Sequence, residues 1–279
     1  MRSRKFISLQ PMKKKILVTG GTGYIGSHTV TDLLASGFEV ISIDNYARSS
    51  AKVLDGIEEI SGVKIKNYNI DLCNFKDTYQ VFAENTDIEG IIHFAAYKSV
   101  PESVEFPMRY YENNLFSLIN VLKCAEEFGV KNFVFSSSCS VYGNVDVLPV
   151  TEDTPLSKPE CAYAATKQMG EQIILDFAKA NGDYNQCILR YFNPVGAHVT
   201  AAIGEMPIGK PNNLVPLITQ TAAGLHEKMY VWGYDYDTRD GSCIRDYIHV
   251  MDIANAHTKA LQFMMKNTHH SNCEIFNLG

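Results

Sequence analysis

The chain lacks the marks of a membrane, nucleic-acid or metal protein. Its longest apolar runs fall far short of the roughly 18 residues that span a bilayer. Basic residues do not predominate: 25 Lys and Arg against 31 Asp and Glu leave a net charge of −6, which offers no positive field to a phosphate backbone. The seven cysteines, Cys73, Cys124, Cys139, Cys161, Cys187, Cys243 and Cys273, stand singly. No C-x-x-C pair occurs and no histidine sits at zinc-ligand spacing, so they read as reduced thiols of a cytoplasmic protein, with no metal expected. Met1 to Lys15 is basic, but its apolar stretch Phe6 to Leu9 is too short for a signal-peptide core. Residues 1–12 are read as an N-terminal extension, with Met12 as an alternative start, in preference to a transit peptide. Internal repeats and low-complexity tracts are absent as well. What remains, 279 residues at 46% hydrophobic and 20% charged, is one large α/β unit or two unequal domains.

From Lys15 short apolar runs alternate with helix-like stretches. Strands are expected at Ile16 to Val18, Glu39 to Ile43, Val63 to Asn67, Gly90 to Phe94, Asn132 to Ser136 and Gln186 to Tyr191. Helices are expected at Tyr24 to Ser36, Arg109 to Phe128 and Ala162 to Ala180. Fully apolar strands imply a sheet covered on both faces, and the repetition implies a doubly wound parallel sheet of Rossmann type. After Asn193 glycine, proline and asparagine gather. The expected division is therefore 13–191 for a dinucleotide-binding domain and 192–279 for a second, smaller substrate domain.

Gly20-Gly21-Thr22-Gly23-Tyr24-Ile25-Gly26 follows the first strand and opens a helix. Glycines there permit a sharp turn and a close approach of backbone to a pyrophosphate, whose charge rests on the helix N-terminus. Asp44 ends the next strand, about 20 residues on, where a carboxylate accepts from ribose hydroxyls and repels a 2′-phosphate. NAD is expected over NADP. Arg48 is the nearby residue that weakens this preference.

Tyr163 and Lys167 stand at i and i+4, on one face of a helix. Among 15 tyrosines chance supplies such a spacing, and the ordinary reading is a solvated face. Position favours chemistry, because the pair follows the run Ser136-Ser137-Ser138 at the sheet's carboxyl edge. A nearby ammonium and a nicotinamide cation are expected to lower the phenol toward working pH, making phenolate a base.

These segments, together with HFAAYKSVPESV from His93, SSSCSVYG from Ser136, YAATK from Tyr163, RYFNPVGAH from Arg190, PNNLVP from Pro211 and RDYIHVMD from Arg245, resemble the extended short-chain dehydrogenase/reductase family. Within it the likeness is to the branch that epimerises UDP-sugars at carbon 4, and it runs nearly end to end. The resemblance implies Tyr163 as catalytic base, Ser138 as its partner at the sugar, and Lys167 as the residue that holds the ribose and depresses the tyrosine pKa. It implies a cofactor site of Gly20, Gly23, Tyr24, Ile25, Gly26, Asp44 and Asn45 at pyrophosphate and ribose, Asp71 and Leu72 at adenine, Phe94, Ala95 and Lys98, Asn114 and Phe192. It implies a substrate site of Asn193, Asn213, Leu214, Tyr230, Val231, Trp232 and Arg245, with UDP-glucose and UDP-galactose as partners and NAD as cofactor. A homodimer face on Arg109 to Phe128 and Ala162 to Ala180 is a further implication.

Ordinary readings stand beside these. Phe94, Ala95 and Leu72 suit the core of any parallel sheet. Arg245 with Asp246 suits an ion pair, and Asn213 a turn after Pro211. The sequence also departs from the family: Ala162 and Ala164 flank Tyr163 where proline and glycine are usual. It ends in a strand-like run, Ile275 to Gly279, where the family continues with elements that close the sugar pocket. The substrate domain is thus expected to be incomplete at the C-terminus. Two rivals follow, a truncated NAD-binding member without turnover and a nucleotide-sugar 4,6-dehydratase. The dehydratase branch places an Asp-Glu pair where this chain has Cys139-Ser140.

Overall fold

A computed structural model describes residues 13–145, 147–209, 211, 213–231, 233–266 and 272–279. The expected extension 1–12 and Trp232 lie outside the described residues.

Strictly alternating side chains explain the architecture. In β1 (Lys15–Thr19), β2 (Glu39–Ile43), β4 (Ile88–His93), β5 (Asn132–Ser138) and β6 (Asn185–Tyr191), Leu17, Ile41, Ile43, Ile91, Phe133, Phe135 and Ile188 point to one face. Ile16, Val18, Val40, Ile92, Val134, Cys187 and Leu189 point to the other. With both sides apolar, the sheet must be covered twice. The helices α3 (Phe75–Glu84), α5 (Pro107–Glu127) and α6 (Ala162–Ala180) cover the first face through Val81, Phe82, Leu118, Val121, Leu122 and Ile174. The helices α1 (Tyr24–Ala35), α2 (Lys52–Ser61) and α8 (Val250–Met265) cover the second through Val30, Leu33, Ile57, Leu261 and Met264. Each such side chain, fully buried, contributes about 1.5–3 kcal/mol.

The main sheet is parallel and seven-stranded in the order β3-β2-β1-β4-β5-β6-β9, with β3 at Lys66–Tyr68 and β9 at Cys273–Leu278. Strand order reverses between β1 and β4, which opens a crevice at their carboxyl ends. The doubly wound Rossmann-type expectation therefore matches the fold. A second sheet pairs β7 (Asn193–Val195) with β8 (Tyr247–His249), and α4 (Val100–Glu105) and α7 (Leu214–Ala222) complete the chain.

Beside shifts of one or two residues at the ends of β1, β4, β6, α1 and α5, three differences from the sequence expectation bear on the architecture. Strand β3 begins at Lys66 rather than Val63, because Gly62 ends α2 at φ 68° and the edge strand pairs only with Ile41 to Ile43. Strand β5 runs two serines further, since Ser137 and Ser138 pair with Arg190 and Tyr191 of β6. The sheet also reaches past the expected division at 191/192. Strand β9 pairs with β6, and α8 lies on β4 so closely that a Cβ on Gly90 would come within 2.7 Å of Leu261. Helix α8 and strand β9 thus belong to the layers of the seven-stranded sheet, while β7 and β8 pair in a sheet of their own.

Burial leaves three histidines neutral. His93 bonds Thr19 Oγ1 at 2.9 Å, and burial, with the Lys167 charge nearby, lowers it to about 3. Burial also lowers His257 to about 4, and lowers His28 from its ordinary value. Because these folded values lie below the unfolded value of about 6.5, their contribution is complete above that pH and is lost as pH falls through the folded values. The slope reaches about 1.4 kcal/mol per pH unit for each histidine. The urea midpoint of unfolding should therefore drop between pH 7.5 and pH 5. A midpoint that stays level or rises over that range contradicts the buried, neutral assignment.

Candidate active site

The turn after β1 has no room for side chains. Gly20 adopts φ 70°, and a Cβ on it would lie 2.9 Å from the backbone nitrogen of Ala95. A Cβ on Gly26 would fall 2.1 Å from the Gly20 carbonyl oxygen, and one on Gly23 3.1 Å from the same atom. Backbone and first helical turn are packed against each other, which leaves the mouth of the turn open to a ligand. Gly23 starts α1 without a capping side chain, and no acid stands in the first turn. The helix therefore presents its positive end and its first N–H groups uncompensated. Asp44 completes the cradle from the adjacent strand. Its carboxylate accepts from Thr22 N at 3.1 Å, Tyr46 N at 2.9 Å and Ser49 Oγ at 3.0 Å. One lone pair remains on Oδ2 for a hydroxyl. A dinucleotide with a free 2′-hydroxyl fits these residues, with Asn45 exposed beside Asp44.

Across the crevice β5 and α6 set the reacting groups. Helix α6 starts at Ala162, where Cys161 Sγ accepts from Ala164 N at 3.5 Å. The alanines that replace proline and glycine leave its start where the sequence places it. Tyr163 is 8% exposed, Lys167 5% and Ser138 9%. The Lys167 Nζ donates to the Ser136 carbonyl at 2.6 Å and lies 5.9 Å from the Tyr163 ring centroid. Burial pushes the phenol up to about 12, against the Ser138 hydroxyl, which holds it down. Burial also pushes Lys167 down to about 8, opposed by Glu171. The sequence expectation joined the ammonium to a nicotinamide cation, and the cofactor-free chain shows the phenol without the second of these. With Nζ turned to Ser136, burial dominates and Ser138 is the group that favours phenolate.

Behind these residues stand partners that sequence reasoning missed. Ser136 Oγ bonds His257 Nε2 at 2.9 Å, and His257 Nδ1 lies 2.8 Å from the Ile253 carbonyl. The Nδ1–H therefore donates to that carbonyl, Nε2 accepts, and α8 is tied to the strand end that holds Lys167. Glu171, one turn after Lys167, takes Arg190 in a fork of 3.0 and 2.7 Å and accepts from Ser137 Oγ at 2.5 Å. Glu171 stands four residues after Lys167 on the same helix face, a spacing that was available as a signal.

The remaining candidates divide. Asn114 spends its amide on Tyr97 N, Tyr97 O and Thr166 Oγ1, at 2.8 to 3.1 Å, so it fastens the loop after β4 onto α6. Ala95 N donates to Thr19 Oγ1 at 3.3 Å, and the Phe94 ring lies 4.6 Å from that of His257. Leu72 is in the core and offers only backbone to a ligand, while Asp71 is exposed and accepts from Cys73 N at 2.9 Å. Tyr24 donates to the Gly196 carbonyl at 2.6 Å and joins the glycine turn to the segment after β7. Asn193 donates to the Asp246 carbonyl at 2.7 Å, and Phe192 N to the Leu278 carbonyl at 3.0 Å. Arg245 is exposed, and its charge works against the burial that raises the Cys139 thiol. Lys98 and Asn213, expected on cofactor and substrate sides, meet at one unforeseen carboxylate. Glu205 Oε1 takes Lys98 Nζ at 3.4 Å and Asn213 Nδ2 at 2.5 Å. Leu214, Tyr230 and Val231 are exposed, at 51, 57 and 55%.

Known proteins match nearly the whole chain. The model of a family described as the NAD dependent epimerase/dehydratase family matches residues 16–279. The UDP-glucose 4-epimerase of Bacillus subtilis is 47% identical over 264 residues, covering 95% of this chain and 76% of that protein. The UDP-glucose 4-epimerase of Caenorhabditis elegans is 45% identical, covering 95% and 78%. A crystal structure of UDP-glucose 4-epimerase from Bifidobacterium longum in complex with NAD+ and UDP superposes with a TM-score of 0.90 at 43% identity, over 95% of this chain and 78% of that one.

The packing of the glycine turn can be tested directly. Gly26→Ala forces its methyl into the Gly20 carbonyl, so dinucleotide affinity measured by calorimetry should fall at least about tenfold. Unchanged affinity contradicts the close approach of turn and helix.

Proposed function

The chain belongs to the NAD dependent epimerase/dehydratase family, and from that premise we propose that it interconverts UDP-glucose and UDP-galactose at sugar carbon 4 with NAD as cofactor. The observation that carries this reading is the buried set Ser138, Tyr163 and Lys167 facing a glycine cradle that ends in Asp44. The relatives of 45 to 47% identity that bear the name UDP-glucose 4-epimerase support the choice of sugar nucleotide.

NAD, when bound, would supply the acceptor for the hydride that leaves sugar carbon 4 and the donor that gives it back to the other face of the 4-keto sugar. The chain's own residues do the rest. Gly20, Gly23, Tyr24, Ile25 and Gly26 hold the pyrophosphate, Asp44 and Asn45 the adenosine ribose, and Asp71 and Leu72 the adenine. Phe94, Ala95, Lys98, Asn114 and Phe192 line the remaining cofactor surface. Tyr163 Oη accepts the proton of the 4-hydroxyl and later returns it, with Ser138 Oγ sharing that proton. Lys167, its Nζ on the Ser136 carbonyl, stays charged in the pocket, since a value of about 8 leaves it mostly protonated at pH 7. Asn193, Asn213, Leu214, Tyr230, Val231 and Arg245 hold sugar and UDP, and Arg245 supplies the guanidinium fork that a diphosphate needs. The 4,6-dehydratase alternative needs an acid beside Ser138, where Cys139 and Ser140 stand.

Two coarser features belong to the same proposal. All seven cysteines are free thiols, which supports a reducing compartment, the cytoplasm. No described helix is long and apolar enough to cross a membrane. A homodimer face on α5 and α6, implied by the family likeness, would include the groove lined by Ile119, Leu122, Lys123, Glu126, Ile173 and Phe177.

Replacing only the proton acceptor separates chemistry from binding. Tyr163→Phe should lower turnover of UDP-galactose by at least about 100-fold while NAD stays bound, and Ser138→Ala should cost less. Near-parental turnover in Tyr163→Phe overturns the mechanism. A 4-keto-6-deoxy product in proton spectra of the parent reaction moves the protein to the dehydratase branch.

A further inference from the structure

Arg48 is the first basic residue after Asp44, and an arginine near this acid is what admits a 2′-phosphate in dinucleotide enzymes. The loop after β2 brings Arg48 to that place. Tyr46 adopts a left-handed φ of 59°, and its N–H and the Ser49 hydroxyl both return to Asp44 Oδ1, at 2.9 and 3.0 Å. Ser49 Oγ also lies 2.7 Å from Thr22 Oγ1 in the glycine turn. Residues 44–49 therefore curl round the carboxylate, and Arg48 is bonded to a residue in contact with it.

The guanidinium is nevertheless engaged by other groups. Its Nη2 donates to Glu102 Oε1 on α4, and its carbon lies 4.9 Å from the Tyr97 ring centroid. Glu102 is held from several sides. Arg109 Nη1 reaches the same Oε1 at 3.1 Å and lies over the same ring at 4.9 Å. Tyr110, fully buried, donates to Oε2 at 2.9 Å while accepting from Ser99 N at 3.0 Å. Burial works against the Glu102 charge, but Arg48, Tyr110 and Arg109 outweigh it and hold the carboxyl below its ordinary range. A lone exposed ion pair holds an arginine weakly. Here the carboxylate is preset by two further donors and the arginine is stacked on an aromatic face, which adds attraction.

We propose that Glu102 is a cofactor-specificity residue. By holding Arg48 against Tyr97 it withdraws from the adenosine ribose the cation that would otherwise bind a 2′-phosphate. NADP is thus refused twice, by repulsion from Asp44 and by the engaged Arg48. The proposal rests on the NAD reading given above, and it concerns which dinucleotide binds, not the sugar chemistry.

The test is calorimetric binding of NAD and NADP to the parent protein and to Glu102→Gln, Glu102→Gln with Arg48→Ala, and Arg48→Ala alone. Glutamine keeps an acceptor for Tyr110 and removes the charge that holds Arg48. NADP should bind Glu102→Gln roughly tenfold tighter than the parent, with NAD affinity unchanged and the gain gone in the double variant. Arg48→Ala alone should leave the weak NADP affinity of the parent as it is. A Glu102→Gln protein with the parental NADP to NAD ratio overturns the proposal. So does a gain that survives removal of Arg48, which marks a general charge effect, or a loss of NADP affinity in Arg48→Ala alone, which places the guanidinium already at the ribose. If the parent binds neither dinucleotide, the cofactor reading itself fails and the proposal with it. If the parent binds NAD and the ratio does not move, only the assignment of Glu102 falls.

Discussion

A buried ammonium organises the centre of this molecule. Lys167 sits almost wholly out of water, and its Nζ is retained there by the Ser136 carbonyl at 2.6 Å. Removing a charge from water is costly unless partners compensate, and the surrounding elements supply them. Strand β5 presents the carbonyl, and His257 of α8 fixes the Ser136 side chain. Glu171, paired with Arg190, lends a negative charge from the next turn of α6. Arg190 in turn bonds Tyr142, which donates to Asn277 of β9. The network thus reaches from the reacting groups to the last strand of the sheet. The return of α8 and β9 to the sheet is therefore part of how the site is held, beyond any role in covering the core.

The same burial sets the state of Tyr163. A phenol raised to about 12 is a poor base at neutral pH. The protein alone holds it as the acid, with only the Ser138 hydroxyl favouring the anion. Positive charge must reach the crevice before the phenol becomes useful, and a dinucleotide held by its pyrophosphate at the glycine cradle, beside Ala95 in the reversed-order gap of the sheet, would bring its cationic nicotinamide into that crevice. Cofactor binding and base activation are on this account one event. That coupling suits a reaction in which the cofactor is regenerated each cycle and has no reason to leave.

Much of this was legible before the fold. Fully apolar strands announced the two-faced sheet, and the glycine spacing announced the tight turn between β1 and α1 on which Asp44 closes. The helix that carries Tyr163 and Lys167, Ala162–Ala180, was read without error. Long-range partners were not legible. Glu205 joins Lys98 and Asn213 across 107 and 8 residues, and Ser136 meets His257 across 121. Nothing local marks such pairs, because the third dimension makes them. The direction of Lys167 was also hidden, since a spacing of four fixes the helix face but not the rotamer that chose Ser136 over the phenol. The expected break at 191/192 overlooked β9 because a short terminal strand carries no sign of which neighbour it joins.

The central claim, that burial keeps Tyr163 protonated until the cofactor's charge arrives, is most directly tested by ultraviolet difference titration of phenolate in the cofactor-free and NAD-loaded protein, each compared with Tyr163→Phe. The account predicts that without NAD the tyrosine removed by the substitution titrates high, at about 12, and that with NAD it titrates well below its ordinary value of about 10. Identical titration curves with and without NAD, or a Tyr163 already ionised near neutrality in the cofactor-free protein, would contradict it.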